Sequence, residues 1–87
     1  MYGTEGFTMD ASDTRKLIGS RIAIARKAAG LDQEALGTII GANKQTVSRW
    51  ERGLRSPNGE YLYAIASTCG CSADFLLGMS DVLEVKS

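Results

Sequence analysis

The sequence predicts an all-α domain of five helices. Apolar residues recur at helical spacing in successive segments, and each segment stops at a glycine. No stretch of useful length alternates apolar and polar residues as a half-buried strand would. With 87 residues the chain has room for one domain and not two. A hydrophobic share of 44% beside a charged share of 23% is globular composition and excludes a fully disordered chain.

Residues 1–12 show no period and contain two glycines, so a flexible N-terminal arm is expected there. The helical signal starts near Asp13 or Thr14, either of which can cap. Ile18, Ile22, Ala25 and Ala29 then form one face, and Gly30 stops the helix. Asp32 is the expected N-cap of a short second helix, with Leu36 and Ile40 facing the core and Gly41 at its end. Asn43 is expected to cap a third helix, in which Val47, Trp50, Glu51 and Leu54 share a side and Gly53 closes the segment. Pro57 opens a fourth segment with Leu62, Ile65, Ala66 and Cys69 on one face and Gly70 as its stop. Ser72 caps a last short helix carrying Phe75, Leu76 and Leu77 and ended by Gly78. The expected domain is therefore 13–79, followed by a C-terminal tail, 80–87.

The formal net charge is zero, but its distribution is uneven. Residues 14–57 hold nine basic residues against three acidic ones, and both flanks are acidic. A basic middle between acidic ends is compatible with one positive face, although a solvated mixture of charges gives the same counts. No stretch is long and apolar enough to span a membrane, and Met1 to Ser12 lack a basic start followed by an apolar run. A cytoplasmic protein is expected. Cys69 and Cys71 sit one residue apart in an apolar context and read as core thiols. A metal site on the two cysteines would need further ligands, and the chain has no histidine to supply one or to form a Ser-His or Cys-His nucleophile, so no metal, cofactor or enzyme activity is expected. The run Gly41-Ala42-Asn43-Lys44-Gln45-Thr46 lacks the glycine before lysine that a phosphate loop requires.

The second and third helices are joined by about three residues around Gly41, short enough to force a steep crossing. Such a crossing brings backbones close and favours a small residue, which Gly37 supplies one turn earlier, while Val47 can wedge between the helices. This spacing resembles the helix-turn-helix pattern. The run Gly30-Leu31-Asp32-Gln33-Glu34-Ala35-Leu36-Gly37, the run Val47-Ser48-Arg49-Trp50-Glu51-Arg52-Gly53, the residues Leu62, Ile65 and Ala66, and the run Ser72-Ala73-Asp74-Phe75-Leu76-Leu77-Gly78 resemble, in order, the phage-repressor family of the Cro and lambda-repressor (xenobiotic-response-element) type. The resemblance covers about residues 14–80. Gly37 and Gly59 stand where that family has alanine and an apolar residue, and Cys69 and Cys71 replace aliphatic residues.

The resemblance implies a five-helix lambda-repressor-like DNA-binding domain whose reading head is residues 33–53, with the third helix in the major groove. Lys44, Gln45, Thr46 and Arg49 would then read bases, a set whose chemistry suits guanine, adenine and the thymine methyl. Gln33, Asn43, Arg52 and Arg55 would meet phosphates, Gln33 also bracing the third helix, and Arg26 would pair with Glu51 in a structural salt bridge. The implied function is a sequence-specific transcription regulator, a repressor, bound to a double-stranded DNA operator. A homodimer is expected, because one reading helix covers few base pairs, with Phe75, Leu76 and Leu77 at its interface and Met79 and Val82 to Val85 beside them. The alternative is an antitoxin or other helix-turn-helix module acting mainly through a protein partner.

Overall fold

A computed structural model describes residues 10–83. Its five helices are α1 (Ala11–Ala28), α2 (Gln33–Ile40), α3 (Lys44–Glu51), α4 (Gly59–Cys69) and α5 (Ala73–Leu76), and the described residues contain no strand. The five-helix all-α expectation holds.

Each helix starts on a side chain that satisfies an otherwise orphaned backbone N–H. Asp32 Oδ1 accepts from the Ala35 amide at 2.7 Å, Asn43 Oδ1 from Thr46 at 2.8 Å and Ser72 Oγ from Phe75 at 3.0 Å, as expected. Two starts differ. α1 begins at Ala11, because Asp10 rather than Asp13 or Thr14 is its cap, with Asp10 Oδ1 accepting from the Asp13 amide at 2.9 Å. α4 begins after Asn58, whose Oδ1 accepts from the Tyr61 amide at 2.9 Å, so Pro57 lies in the preceding loop. Of the expected arm, residues 1–9 lie outside the described residues, as do tail residues 84–87.

The core is one cluster drawn from every helix and from the α4–α5 turn: Ile18, Ile22 and Ala25, Leu36, Val47 and Trp50, Ile65, Cys71, and Phe75 with Leu76. Ile22, Leu36, Val47, Ile65 and Leu76 are fully buried, so truncating any of the larger ones to alanine costs about 2–5 kcal/mol. Cys71 joins this cluster, while Cys69 is only half-buried at its edge. Two residues expected on buried faces are exposed. Ala29 is the C-cap of α1, and Leu54 lies beyond the end of α3, where Leu54 N–H bonds the Arg49 carbonyl at 3.0 Å and the chain has already left the helix.

α1 and α2 both pack on α3, and glycine sets how closely. A Cβ on Gly37 would stand 2.7 Å from the Asn43 carbonyl carbon, at the head of α3. A Cβ on Gly19 of α1 would overlap the Trp50 carbonyl oxygen. The small residue at 37 is thus demanded by the crossing, as its position before Gly41 suggests. Gly41 itself takes φ 80°, the left-handed conformation that ends α2. Arg21 secures α5 and the residues just after it. Its guanidinium donates to the Phe75 and Ser80 carbonyls at 3.2 and 2.7 Å, meets Asp81 at 2.8 Å and lies 4.5 Å from the centre of the Phe75 ring.

Candidate nucleic-acid interface

α3 has a locked face and a free face. Val47 and Trp50 are buried, and Trp50 meets Tyr61 of α4 with ring centres 5.0 Å apart and planes tilted by 56°. On the other side Lys44, Gln45 and Arg49 are exposed and Thr46 is half-buried. All four expected base-reading residues therefore stand on or at the edge of one solvent-facing surface of a helix whose rotation is fixed by its core side. Thr46 and Arg49 also line a groove of about 580 Å³ between α3 and the start of α4, and Arg55 lines it from the loop between them. The groove places an expected phosphate residue beside two expected base readers.

The remaining expected phosphate residues are more dispersed. Asn43 is exposed, and its oxygen is engaged as the cap of α3. Arg52 is exposed at the C-cap of α3. Gln33, the first residue of α2, is half-buried and donates from Nε2 to Glu51 Oε1 at 3.0 Å, so it braces α3 directly. Glu51 also receives Arg26, with Nε 2.6 Å from Oε2 and Nη2 3.0 Å from Oε1. Arg26 Nη1 donates to the Leu31 carbonyl at 2.9 Å, in the connection before α2. The Arg26 and Glu51 side chains are 10% and 8% exposed, so this is an interior fork tying α1, α2 and α3 together. The hydrogen bond to Glu51 raises the Arg26 pKa above the arginine value against the opposing effect of burial, so the guanidinium is charged at every physiological pH.

That pairing also shapes the field. Between Ala35 and Gly59 the only acidic residue is Glu51, and it is bound to Arg26, whereas Lys44, Arg49, Arg52 and Arg55 are all exposed. A chain of zero net charge thus carries an uncompensated basic segment.

The structure adds residues that sequence reasoning missed. Ser56, Asn58 and Tyr61 share the groove with Arg55. The Asn58-Gly59 pair after a proline is a cap signal that would have pointed to Asn58. Arg15 of α1 donates from Nε to the Gly53 carbonyl at 3.1 Å, a long-range contact without any local sequence mark. The expected dimer residues divide: Phe75 and Leu76 are buried in the protomer's own core and Leu77 is half-buried, while Met79 and Val82 are 76% and 66% exposed.

Among known proteins, the family described as helix-turn-helix matches residues 22–76. Repressor protein C2 of Salmonella phage P22 is 42% identical over 62 residues, which is 71% of this chain but 29% of that protein, so the chain spans less than a third of its length. An uncharacterized HTH-type transcriptional regulator, y4dJ, of Sinorhizobium fredii is 42% identical over 60 residues, covering 69% of this chain and 78% of that one. The crystal structure of the P22 c2 repressor in complex with a synthetic operator superposes with a TM-score of 0.68 at 40% identity, over 72% of this chain and 96% of that chain.

Proposed function

The chain belongs to the helix-turn-helix family, and from that premise we propose that it is a sequence-specific double-stranded DNA-binding regulator, a repressor, that reads the major groove with α3. The observation that carries this is the two-sided character of α3. Its buried Val47 and Trp50 fix the helix, and its exposed Lys44, Gln45 and Arg49, with Thr46 at the edge, offer the hydrogen-bonding groups that base edges accept. Arg49 suits a guanine bidentately, Gln45 an adenine, Lys44 a guanine oxygen or nitrogen, and the Thr46 methyl a thymine. The P22 relative, solved with operator DNA, supports the reading.

Around this head, Arg55, Arg52 and Asn43 hold phosphates and set register. Gln33 contributes from the start of α2, where its second amide hydrogen and the helix N-terminus favour an anion while Nε2 stays on Glu51. Two copies bind a roughly palindromic operator in the cytoplasm. Because Phe75 and Leu76 serve the protomer's own core, the surface offered to the second copy is Leu77, Met79 and Val82. Repression follows from occupying the operator. The test is selection of bound duplexes from random DNA. A recovered motif of two inverted half-sites about one helical turn apart is expected, and recovery of no motif at low salt contradicts the reading.

A further inference from the structure

The turn that follows α3 is held from α1. Gly53 has φ 77°, and its amide bonds the Trp50 carbonyl at 3.0 Å while Leu54 N–H bonds the Arg49 carbonyl at 3.0 Å, the paired bonds that close a helix on a left-handed glycine. These bonds leave the Gly53 carbonyl itself to be satisfied from outside the helix. Arg15, 38 residues earlier, supplies the donor: its Nε lies 3.1 Å from that oxygen. Lys16 closes the other side. A Cβ on Gly53 would stand 2.8 Å from Lys16 Cγ and 3.1 Å from Lys16 Cα, so the glycine face is laid against α1 with no room for a side chain. Downstream, Pro57 is buried and Asn58 caps α4. The three residues between, Leu54, Arg55 and Ser56, are all exposed and hang between those two anchored points.

We propose that Arg15 is a positioning residue for DNA binding: by fixing the Gly53 carbonyl it sets where Arg55 stands in the groove beside Thr46 and Arg49. This rests on the proposed function. Arg15 acts through the loop and not by neutralising a phosphate itself. Its loss therefore weakens every DNA sequence alike, and only while Arg55 is there to be positioned.

The experiment compares the full chain with Arg15→Met, Arg15→Gln, Arg55→Ala and the Arg15→Met/Arg55→Ala pair. The probe is one duplex recovered by selection, together with its single-base variants, measured at several salt concentrations well below the unfolding temperature of each variant. Arg15→Met keeps the apolar stem and loses the donor, whereas Arg15→Gln loses the charge but keeps an N–H near the same reach. Arg15→Met is expected to weaken binding roughly 3- to 10-fold, the net worth of about one hydrogen bond, with a salt slope that falls by no more than it does in Arg55→Ala and an unchanged ranking of sites. Arg15→Gln is expected to recover part of that loss. In the Arg55→Ala background, Arg15→Met is expected to have no further effect. A further fall in salt slope of about one unit when Arg15→Met is added to Arg55→Ala would make Arg15 a direct phosphate contact and overturn the proposal. So would full additivity with Arg55→Ala, or a lowered melting temperature with binding unchanged. Failure of the parent chain to bind any duplex in a salt-dependent way would instead overturn the proposed function, and this inference with it.

Discussion

Glu51 accepts three hydrogen bonds, from Arg26 Nε, Arg26 Nη2 and Gln33 Nε2, and through them one carboxylate fixes the mutual position of three helices. A buried ion pair of this kind is weak evidence of net stability, because desolvation offsets attraction, but breaking it from one side leaves an uncompensated charge. Glu51→Ala is therefore expected to destabilise the fold by about 3–5 kcal/mol in urea unfolding, whereas replacing both partners with apolar residues of similar volume costs much less. Equal losses from the single and double replacements would contradict this. Cys69 behaves differently. Burial, with a contribution from Cys71, pushes its thiol pKa from 9.0 up to about 11, against a small opposing effect of Arg26. Below about 9 the thiol is protonated in both states and its contribution is fully present; above that the unfolded chain loses its proton first, so stability falls as pH rises from 9.0 towards about 11. The parent is expected to lose more stability across that window than Cys69→Ala, measured by urea midpoints at both ends, and equal losses would place the alkaline sensitivity elsewhere.

At the scale of the element, the helix-turn-helix is legible in the sequence because its constraints are local. The Asp32 and Asn43 caps, the left-handed Gly41 and the small residue at 37 all act within the stretch from Asp32 to Asn43. What is not legible is contact-dependent. Capping chemistry alone does not choose between Asp10 and Asp13 for the start of α1, since either carboxylate suits the role. Spacing puts Leu54 on a buried face, but spacing carries no information once the chain has turned out of the helix at Gly53. The same holds for Gly19, whose need for hydrogen in place of a side chain comes from the Trp50 carbonyl, distant in sequence. These glycines separate in their response to alanine. A Cβ added at Gly59 meets no heavy atom within 4 Å, so Gly59→Ala is expected to stabilise by about 0.4–1 kcal/mol through the unfolded state. Gly37→Ala and Gly19→Ala meet backbone and are expected to destabilise despite the better helix propensity of alanine. Thermal melts of the three variants check this, and a higher melting temperature for Gly37→Ala would show that α3 can move away from α2 freely.

Taken as a whole molecule, the chain separates its tasks by region. The segment from α2 to the start of α4 carries four exposed cations, Lys44, Arg49, Arg52 and Arg55, and the end of α5 with the residues after it carries exposed apolar surface held in place by Arg21. The fold class and the outward face of α3 can be read from the sequence because each follows from period and capping. The partner surface cannot, because Phe75 and Leu76 fit a core and an interface equally well until burial is known. If two copies meet through Leu77, Met79 and Val82, then Met79→Glu is expected to weaken the dimer and cooperative operator binding while leaving the melting temperature of the protomer nearly unchanged, since Met79 is 76% exposed. Sedimentation with and without operator DNA checks this, and an unaltered dimer constant would move the interface elsewhere.

The outer face of α3 is proposed to read bases. Its most direct test is a set of binding isotherms for the parent and for Arg49→Ala on a selected site and on each of its single-base variants, at several salt concentrations. Arg49→Ala is expected to lose roughly 1–3 kcal/mol on the preferred site with the preference flattened at one base position, and Arg55→Ala in the same assay to weaken all sites alike with a salt slope smaller by about one unit. If Arg49→Ala binds every site more weakly by one common factor and keeps the parent's ranking, then Arg49 does not read a base and α3 is not the reading helix proposed.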